Sequence, residues 1–301
     1  MAGVFGVVST FRPDAAVVQR AREHSRQVDK LIVVDDGSPD SRVLDELSGP
    51  EFEIIRLAEN SGIAIALNTG ITAAIAGGAE YILNLDQDTV LDAGYVAKCL
   101  ATFASAATAT HLGLVLTDCV NHQPSIPPRY SPEGFGLVEE GIQSGMIVRA
   151  DCLRDVGLLD ERLFIDCVDI EFCLRMGDRG WRIAVAPGSN ITHSLGDMVA
   201  FRPFGVQRMH GGEPALYQYH APFRQYYITR NNIDLVLRNV GKRPRWVLQV
   251  MKRETGPHLK AMVGGPHRAK QWLAIGVGGI HGLVRRRGKI PSWLAKAVRT
   301  S

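Results

Sequence analysis

Three stretches of the chain set carboxylates where they could do chemistry. The first is Val33-Val34-Asp35-Asp36-Gly37-Ser38-Pro39-Asp40, an apolar run that stops at two acids and turns at glycine. A carboxylate only accepts hydrogen bonds, so Asp36 at a strand end can take the imide N–H of a uracil or thymine. The same residues also make an ordinary strand-to-helix turn, with Ser38 or Asp40 as a cap and Pro39 as a first helical residue. The second is Leu83-Asn84-Leu85-Asp86-Gln87-Asp88-Thr89. Acids at i and i+2 of an extended chain share one face, and like charges held together call for a cation beside them. Mg²⁺ or Mn²⁺ fits, since both take oxygen ligands and keep positions open for water and phosphate. A solvated turn carries the same pattern without an ion. The third is Asp166-Cys167-Val168-Asp169-Ile170-Glu171, followed by Arg175. One of these acids can serve as a general base to an acceptor hydroxyl. Alternatively Asp166 and Asp169 are the N-cap and N3 of a helix, with Glu171 and Arg175 an i,i+4 ion pair. Downstream, His193 ends another apolar run and offers a nitrogen ligand or merely faces solvent. Tyr226 and Arg230 lie on a helix in Phe223–Asn232 that suits gripping a diphosphate or sugar, or plain helix packing.

Such residues need elements that end where they stand. Val4–Thr10, Lys30–Val34, Phe52–Leu57 and Tyr81–Leu85 read as strands. Ala15–Gln27, Ser41–Leu47 and Ala64–Ala76 read as helices. Strands apolar throughout and separated by helices imply an α/β fold with a mostly parallel sheet covered on both faces. Ligands of open sheets sit at the carboxyl ends of strands, here Thr10, Asp35-Asp36, Asn60 and Asp86–Asp88. From about His111 to Gly136 periodicity fades and prolines gather, which predicts a long surface loop. Gly141–Val148 then reads as a strand, Asp151–Val156 and Asp166–Arg179 as helices, and Arg182–Ala186 as a strand. Phe204–Pro214 reads as a mobile loop, and the chain from Pro222 on as helical.

With 301 residues, 46% apolar and 22% charged, the chain can bury a substantial core, which excludes disorder as its main state. A formal net charge of +3 conceals a step at Arg238: from there to Ser301 stand 15 Lys and Arg against one acid, Glu254. The expected division is therefore a domain over 1–237 and a basic helical region over 238–301. Such asymmetry addresses the tail to an anionic surface. Trp246, Val247, Leu248, Val250 and Met251, interleaved with cations, suit an interfacial helix, although a solvated basic face has the same composition. No nucleic-acid motif is present. The uncharged stretch Trp272–Val284 is 13 residues long, short of the roughly 18 needed to span a bilayer. The N-terminal run lacks a basic n-region, so a cytoplasmic protein is expected, peripheral on the inner membrane face if the tail binds there. Five cysteines without a C-x-x-C pair read as reduced core thiols.

In this order the residues resemble the family 2 glycosyltransferases of GT-A fold, and within them the bacterial rhamnosyltransferase-like group. The matching stretches are Val7-Val8-Ser9-Thr10, Val34-Asp35-Asp36-Gly37-Ser38, Glu59-Asn60-Ser61-Gly62 with Asn68, Leu85-Asp86-Gln87-Asp88-Thr89, Phe164-Ile165-Asp166 with Asp169, Glu171 and Arg175, then His193, and Arg224 through Asn231. The resemblance implies a Rossmann-like nucleotide-diphospho-sugar transferase core. It implies that Thr10 and Asp36 hold the nucleotide base, with Asn60 and Gly62 lining the same pocket and Asp86 near the ribose. Asp88 would bind a divalent metal, Mg²⁺ or Mn²⁺, with His193 as a further ligand. Asp169 matches the catalytic base of an inverting transfer, and Val168 stands where many relatives have a second acid. Asp166, Tyr226 and Arg230 would contact the acceptor or the diphosphate. The donor implied is dTDP-L-rhamnose, or else a UDP-sugar. The acceptor implied is a saccharide or polyprenyl-linked saccharide in surface-polysaccharide synthesis.

Two other classes share some of these features. A nucleotidyltransferase has a similar core but needs a glycine-rich basic loop after the first strand, and Ser9-Thr10-Phe11-Arg12-Pro13-Asp14 has no glycine. A non-catalytic membrane-associated scaffold has no need for Asp36, Asp88 and Asp169 together.

Overall fold

Strands Val4–Thr10 (β1), Lys30–Asp35 (β2), Phe52–Arg56 (β3) and Tyr81–Asp86 (β4) form where the apolar runs predict them, each ending within a residue of its expected boundary. Val7, Leu31 to Val34, Ile82, Leu83 and Leu85 are buried, which is why these strands lack alternation. Helices Ala15–Ser25 (α1) and Ile63–Ala76 (α2) connect them. Helix α2 lies close on β1, because a Cβ at Gly70 would come within 2.4 Å of Val7 Cγ1. Only glycine allows that approach.

The structure, a computed structural model, describes residues 3–193 and 196–300. Its chain falls into two units, Met1–Glu161 with Val168–Ser194, and Arg162–Cys167 with Leu195–Ser301. Arg238, where the charge changes sign, lies within a helix of the second unit, Pro222–Asn239, so the charge step and the division of the fold are separate features.

In the first unit the chain continues through Val90–Leu91 (β5), Tyr95–Ser105 (α3) and Leu112–Val120 (β6). Short strands Gln123–Pro124 (β7), Arg129–Tyr130 (β8) and Gly136–Val138 (β9) follow. Ile147–Arg149 (β10), Ala150–Val156 (α4), Val168–Asp178 (α5) and Arg182–Thr192 (β11) complete it. The main sheet runs β3-β2-β1-β4-β10-β6-β11-β9-β8. β1 to β4 pair in parallel, as do β6 and β11, while β10 runs antiparallel between β4 and β6. The sheet is thus mixed, with its long strands pointing one way.

The surface loop expected over 111–136 is corrected at its start. β6 is buried from Leu112 to Thr117, and a Cβ at Gly113 would meet Trp181 at 2.7 Å and Cys152 Sγ at 2.9 Å. The prolines mark only the stretch after β7 begins. The strand expected over 141–148 shrinks to β10, and the helix expected from Asp166 starts at Val168, since Asp166 and Cys167 have φ of 63° and 61°. Four of the cysteines are buried, and Cys119 is intermediate.

The second unit holds Asp197–Ala200 (β12), Met209–His210 (β13), Glu213–Pro214 (β14) and Leu216–Tyr219 (β15), followed by helices Pro222–Asn239 (α6), Pro244–Gly264 (α7), Arg268–Leu283 (α8) and Ser292–Val298 (α9). β12 pairs with β15 and β13 with β14, so the stretch read as a mobile loop contains a hairpin. Helices α6 and α8 pack backbone to backbone. A Cβ at Gly278 would lie 2.7 Å from Tyr226 O, and one at Gly282 2.8 Å from Arg230 O. A glycine-rich helix is weak alone, so packing must hold α8. Among the described residues no helix is long and apolar enough to cross a membrane.

Candidate active site

β1 has β2 on one side and β4 on the other, so the chain order reverses there, and open α/β sheets bind ligands at such a reversal. Thr10 closes β1, buried, its hydroxyl donating to Val34 O at 3.3 Å. Asp36 is buried after β2 and accepts from the Ser61 and Gly62 amides at 2.7 and 2.9 Å. Those bonds use part of its acceptor capacity and fix the turn that holds Asn60 and Gly62. Gly37, at φ 65°, makes this possible, since a Cβ would come within 2.1 Å of the Glu59 carbonyl carbon. Ser38 caps no helix: its hydroxyl donates to Asp35 at 2.5 Å, and Arg42–Glu46 is a short 3-10 turn without a side-chain cap.

Asp86 ends β4 and Asp88 lies in the turn beyond, so strand alternation is not what joins them. β5 follows directly and pairs antiparallel with the end of β11, Leu91 opposite Ile191 and Val90 opposite Thr192. This pairing brings His193 back onto the turn. Its Nδ1 lies 3.2 Å from Asp88 Oδ1 and 3.1 Å from Thr89 Oγ1, and its Nε2 lies 3.7 Å from Asp86 Oδ2. Burial alone pushes the Asp88 carboxyl up, but the hydrogen bond and charge of His193 outweigh it and hold the group below its usual range. One ligand atom from each of Asp86, Asp88 and His193 falls within 4.8 Å of the others. Two carboxylate oxygens and an imidazole nitrogen form a donor set that suits Mn²⁺ or Mg²⁺, and Asp88, 42% exposed, leaves an open side.

Asp169 is the second residue of α5. Its Oδ1 accepts from Ile170 N at 2.8 Å and its Oδ2 from Gln143 N at 3.1 Å. Burial raises its pKa above the ordinary carboxylate range. The two amides oppose this without cancelling it, and the Glu140 charge adds to it. Next in the chain, Ser144 Oγ accepts from Asp86 N at 3.1 Å and lies 2.5 Å from Thr89 Oγ1. Gln143 and Ser144 therefore tie Asp169 to the Asp86–Asp88–His193 cluster. Neither residue stands out in the sequence, and Thr89 does so only as the end of the Leu85–Thr89 stretch. Their one local signal is Gly145 at φ 86°, which starts the turn into β10 and whose carbonyl accepts from Tyr95 OH at 2.6 Å.

Other predicted residues have structural work. Asn68 donates to Leu159 O and accepts from Leu159 N, both at 3.0 Å, locking α2 to the 159–161 turn. Arg175 pairs with Glu171 at 2.8 Å, as the i,i+4 reading expects, and also donates to the carbonyls of Val156 and Leu158.

In the second unit Arg224 Nε donates to Asp166 Oδ1 at 3.0 Å. Asp166 lies two residues before the first residue of α5, one position short of the N-cap that its spacing suggests. Arg230 and Tyr226, expected to touch an acceptor or diphosphate, are each 1% exposed and belong to the interior. The Arg230 guanidinium donates to Leu163 O at 2.8 Å, to Gly288 O and to Asn231 Oδ1, and stacks over Tyr227 at 4.8 Å. Asn231 Nδ2 donates to the carbonyls of Leu163, Ile165 and Asp166. Together they hold a segment in which Phe164, Asp166 and Cys167 all have positive φ. Arg230→Ala strands those carbonyls, and it is expected to cost about 3 kcal/mol or more of stability by chemical denaturation. A loss below about 1 kcal/mol counts against this role.

Comparison with known proteins gives this geometry its context. Residues 15–136 match the description of glycosyl transferase family 2. The chain is 28% identical over 251 residues to the dTDP-rhamnosyl transferase RfbF of Shigella flexneri, covering 78% of this chain and 80% of that protein. The fold is that of the S. aureus TarS 1-349 crystal structure, at TM-score 0.54 and 15% identity over 94% of this chain and 82% of that one. It also resembles GalNAc-T7, solved with UDP, GalNAc and Mn²⁺, at TM-score 0.56 and 12% identity over 99% of this chain and 56% of that one. The family description over residues 15–136, the relative and the GT-A architecture agree, and all three make the chain similar to the family 2 glycosyltransferases, with a dTDP-rhamnosyl transferase among its relatives.

Proposed function

We propose that this glycosyltransferase moves L-rhamnose from dTDP-L-rhamnose, with inversion, to a hydroxyl of a saccharide acceptor, free or polyprenyl-linked, at the cytoplasmic face of the membrane during surface-polysaccharide synthesis. The reading rests on one observation above the others. The Gln143-Ser144 dipeptide bonds Asp169 on one side and Asp86 on the other, holding a raised-pKa carboxylate beside a cluster fit for a divalent ion. Likeness to a protein named as a dTDP-rhamnosyl transferase supports the donor.

In this reading Thr10, Asp36, Asn60 and Gly62 line the base pocket, Asp86 lies near the ribose, and Asp88 and His193 hold the metal. Asp169 takes the proton of the acceptor hydroxyl as its oxygen bonds to the anomeric carbon and the bond from that carbon to the diphosphate oxygen breaks. The released dTDP carries the electron pair. When bound, a divalent ion offsets the negative charge that gathers on the departing diphosphate. The protein's part is alignment: a base and a leaving group fixed on opposite faces of the sugar turn a bimolecular displacement into an oriented one.

Calorimetric titration with dTDP, UDP and GDP, each with Mn²⁺ and with EDTA, tests the reading. Preference for dTDP that depends on Mn²⁺ is the expected result. Preference for UDP transfers the proposal to a UDP-sugar donor, and failure of all three nucleotides to bind sinks it in favour of a scaffold.

A further inference from the structure

Among the described residues, exposed large apolar side chains are distributed unevenly, four in the first unit and seventeen in the second. The densest set lies on α8. Trp272, Leu273, Ile280 and Leu283 recur at helical spacing with 58%, 36%, 61% and 64% exposure, and Val284 follows at 67%. The opposite side of the helix, Gln271, Ala274, Gly278 and Gly282, is buried. Residues 271–284 hold no Asp, Glu, Lys or Arg, so the outer face from Trp272 to Leu283 is an uninterrupted apolar strip about 17 Å long at 1.5 Å per residue. Monomeric soluble domains seldom leave such a strip to water.

Cations stand at both ends of the strip: Arg268 and Lys270 before it, Arg285 and Arg286 after it. Arg268 and Lys270 oppose the macrodipole of α8; they donate to the carbonyls of Val263 and Arg299, and Arg285 pairs with Asp234 while staying 53% exposed. We propose that this face of α8 docks on an anionic lipid surface, its apolar side chains entering the interface and the flanking cations meeting the headgroups. A second copy of the chain is the poorer occupant, since 15 Lys and Arg against one acid from Arg238 onward would face the same charge. The strip is too short to span a bilayer, which makes the attachment peripheral. It also differs from the tail helix that the sequence suggests, because Trp246, Val247 and Val250 of α7 are buried, and of that set Leu248 and Met251 are exposed. The proposal does not depend on donor identity.

Sedimentation of the full chain with vesicles of phosphatidylglycerol and phosphatidylcholine, against phosphatidylcholine alone, tests it. Binding to the anionic vesicles is expected, more than tenfold weaker at high salt, with a blue shift of tryptophan emission as Trp272 leaves water. The double variant I280E/L283E changes two exposed positions, so its fold and its affinity for dTDP with Mn²⁺ should stay as they are while vesicle binding falls more than tenfold. Three results overturn the proposal: wild-type protein that ignores anionic vesicles, equal binding by the variant or by uncharged vesicles, or a dimer that the same substitutions dissociate.

Discussion

Asp169→Asn is expected to lower the transfer rate by about 10²–10⁴-fold, the usual contribution of a positioned general base, while donor affinity changes by less than about twofold. The separation of the two effects is the informative part. Asparagine keeps the shape and one of the two acceptor positions that Ile170 N and Gln143 N use, but it has no lone pair basic enough to take a proton. The pH profile adds a second readout. A base works ionised, so the rate falls as pH drops through the pKa of Asp169. Burial raises that pKa, so the acid limb should lie above the ordinary aspartate value of about 3.9. The variant should lack that limb. An Asp169→Asn protein that turns over normally, or keeps the acid limb, would falsify the assignment. Asp169→Ala, read by nucleotide affinity, guards against a collapse of the Gln143-Ser144 segment, which would reach Asp86 through Ser144.

How far the sequence exposes this site depends on the range of the interactions that build it. β1, β2 and β4 are legible because burial on both faces makes each largely an apolar run, and their carboxyl ends mark Thr10, Asp36 and Asp86 without further help, while β3, half-buried and carrying Glu53 and Arg56, shows by its aromatic and β-branched residues. Asp88 and His193 are visible as residue types, but their meeting is not, since it needs β5 to pair with β11 across about a hundred residues. Gln143 and Ser144 act through a backbone amide and a hydroxyl, groups that almost any loop contains, so only the fold reveals them. Arg230 shows the opposite error. An arginine among tyrosines suits an anion, yet here its donors satisfy backbone carbonyls that the positive-φ segment leaves without strand or helix partners. β6 was masked by prolines that belong to its neighbours.

Asp88→Ala should abolish the Mn²⁺-dependent part of nucleotide binding, bringing affinity with Mn²⁺ down to that measured in EDTA. The structure gives this residue the largest share for two reasons. It is the most exposed of the three candidate ligands, at 42% against 25% for Asp86 and 16% for His193, so it faces the side open to a diphosphate. It also stands beside Thr89 as a partner of Nδ1 of His193, so its loss takes one ligand and removes one of the contacts that hold another. His193→Ala should have the smaller effect, because two carboxylates remain and a water can replace the nitrogen. Mn²⁺ binding followed by electron paramagnetic resonance without nucleotide separates loss of the metal site from loss of the base pocket. Equal nucleotide affinity with and without Mn²⁺ in the wild-type protein removes the metal from the proposal. Unchanged Mn²⁺ binding in Asp88→Ala moves it to other ligands and leaves Asp88 as a partner of His193 alone.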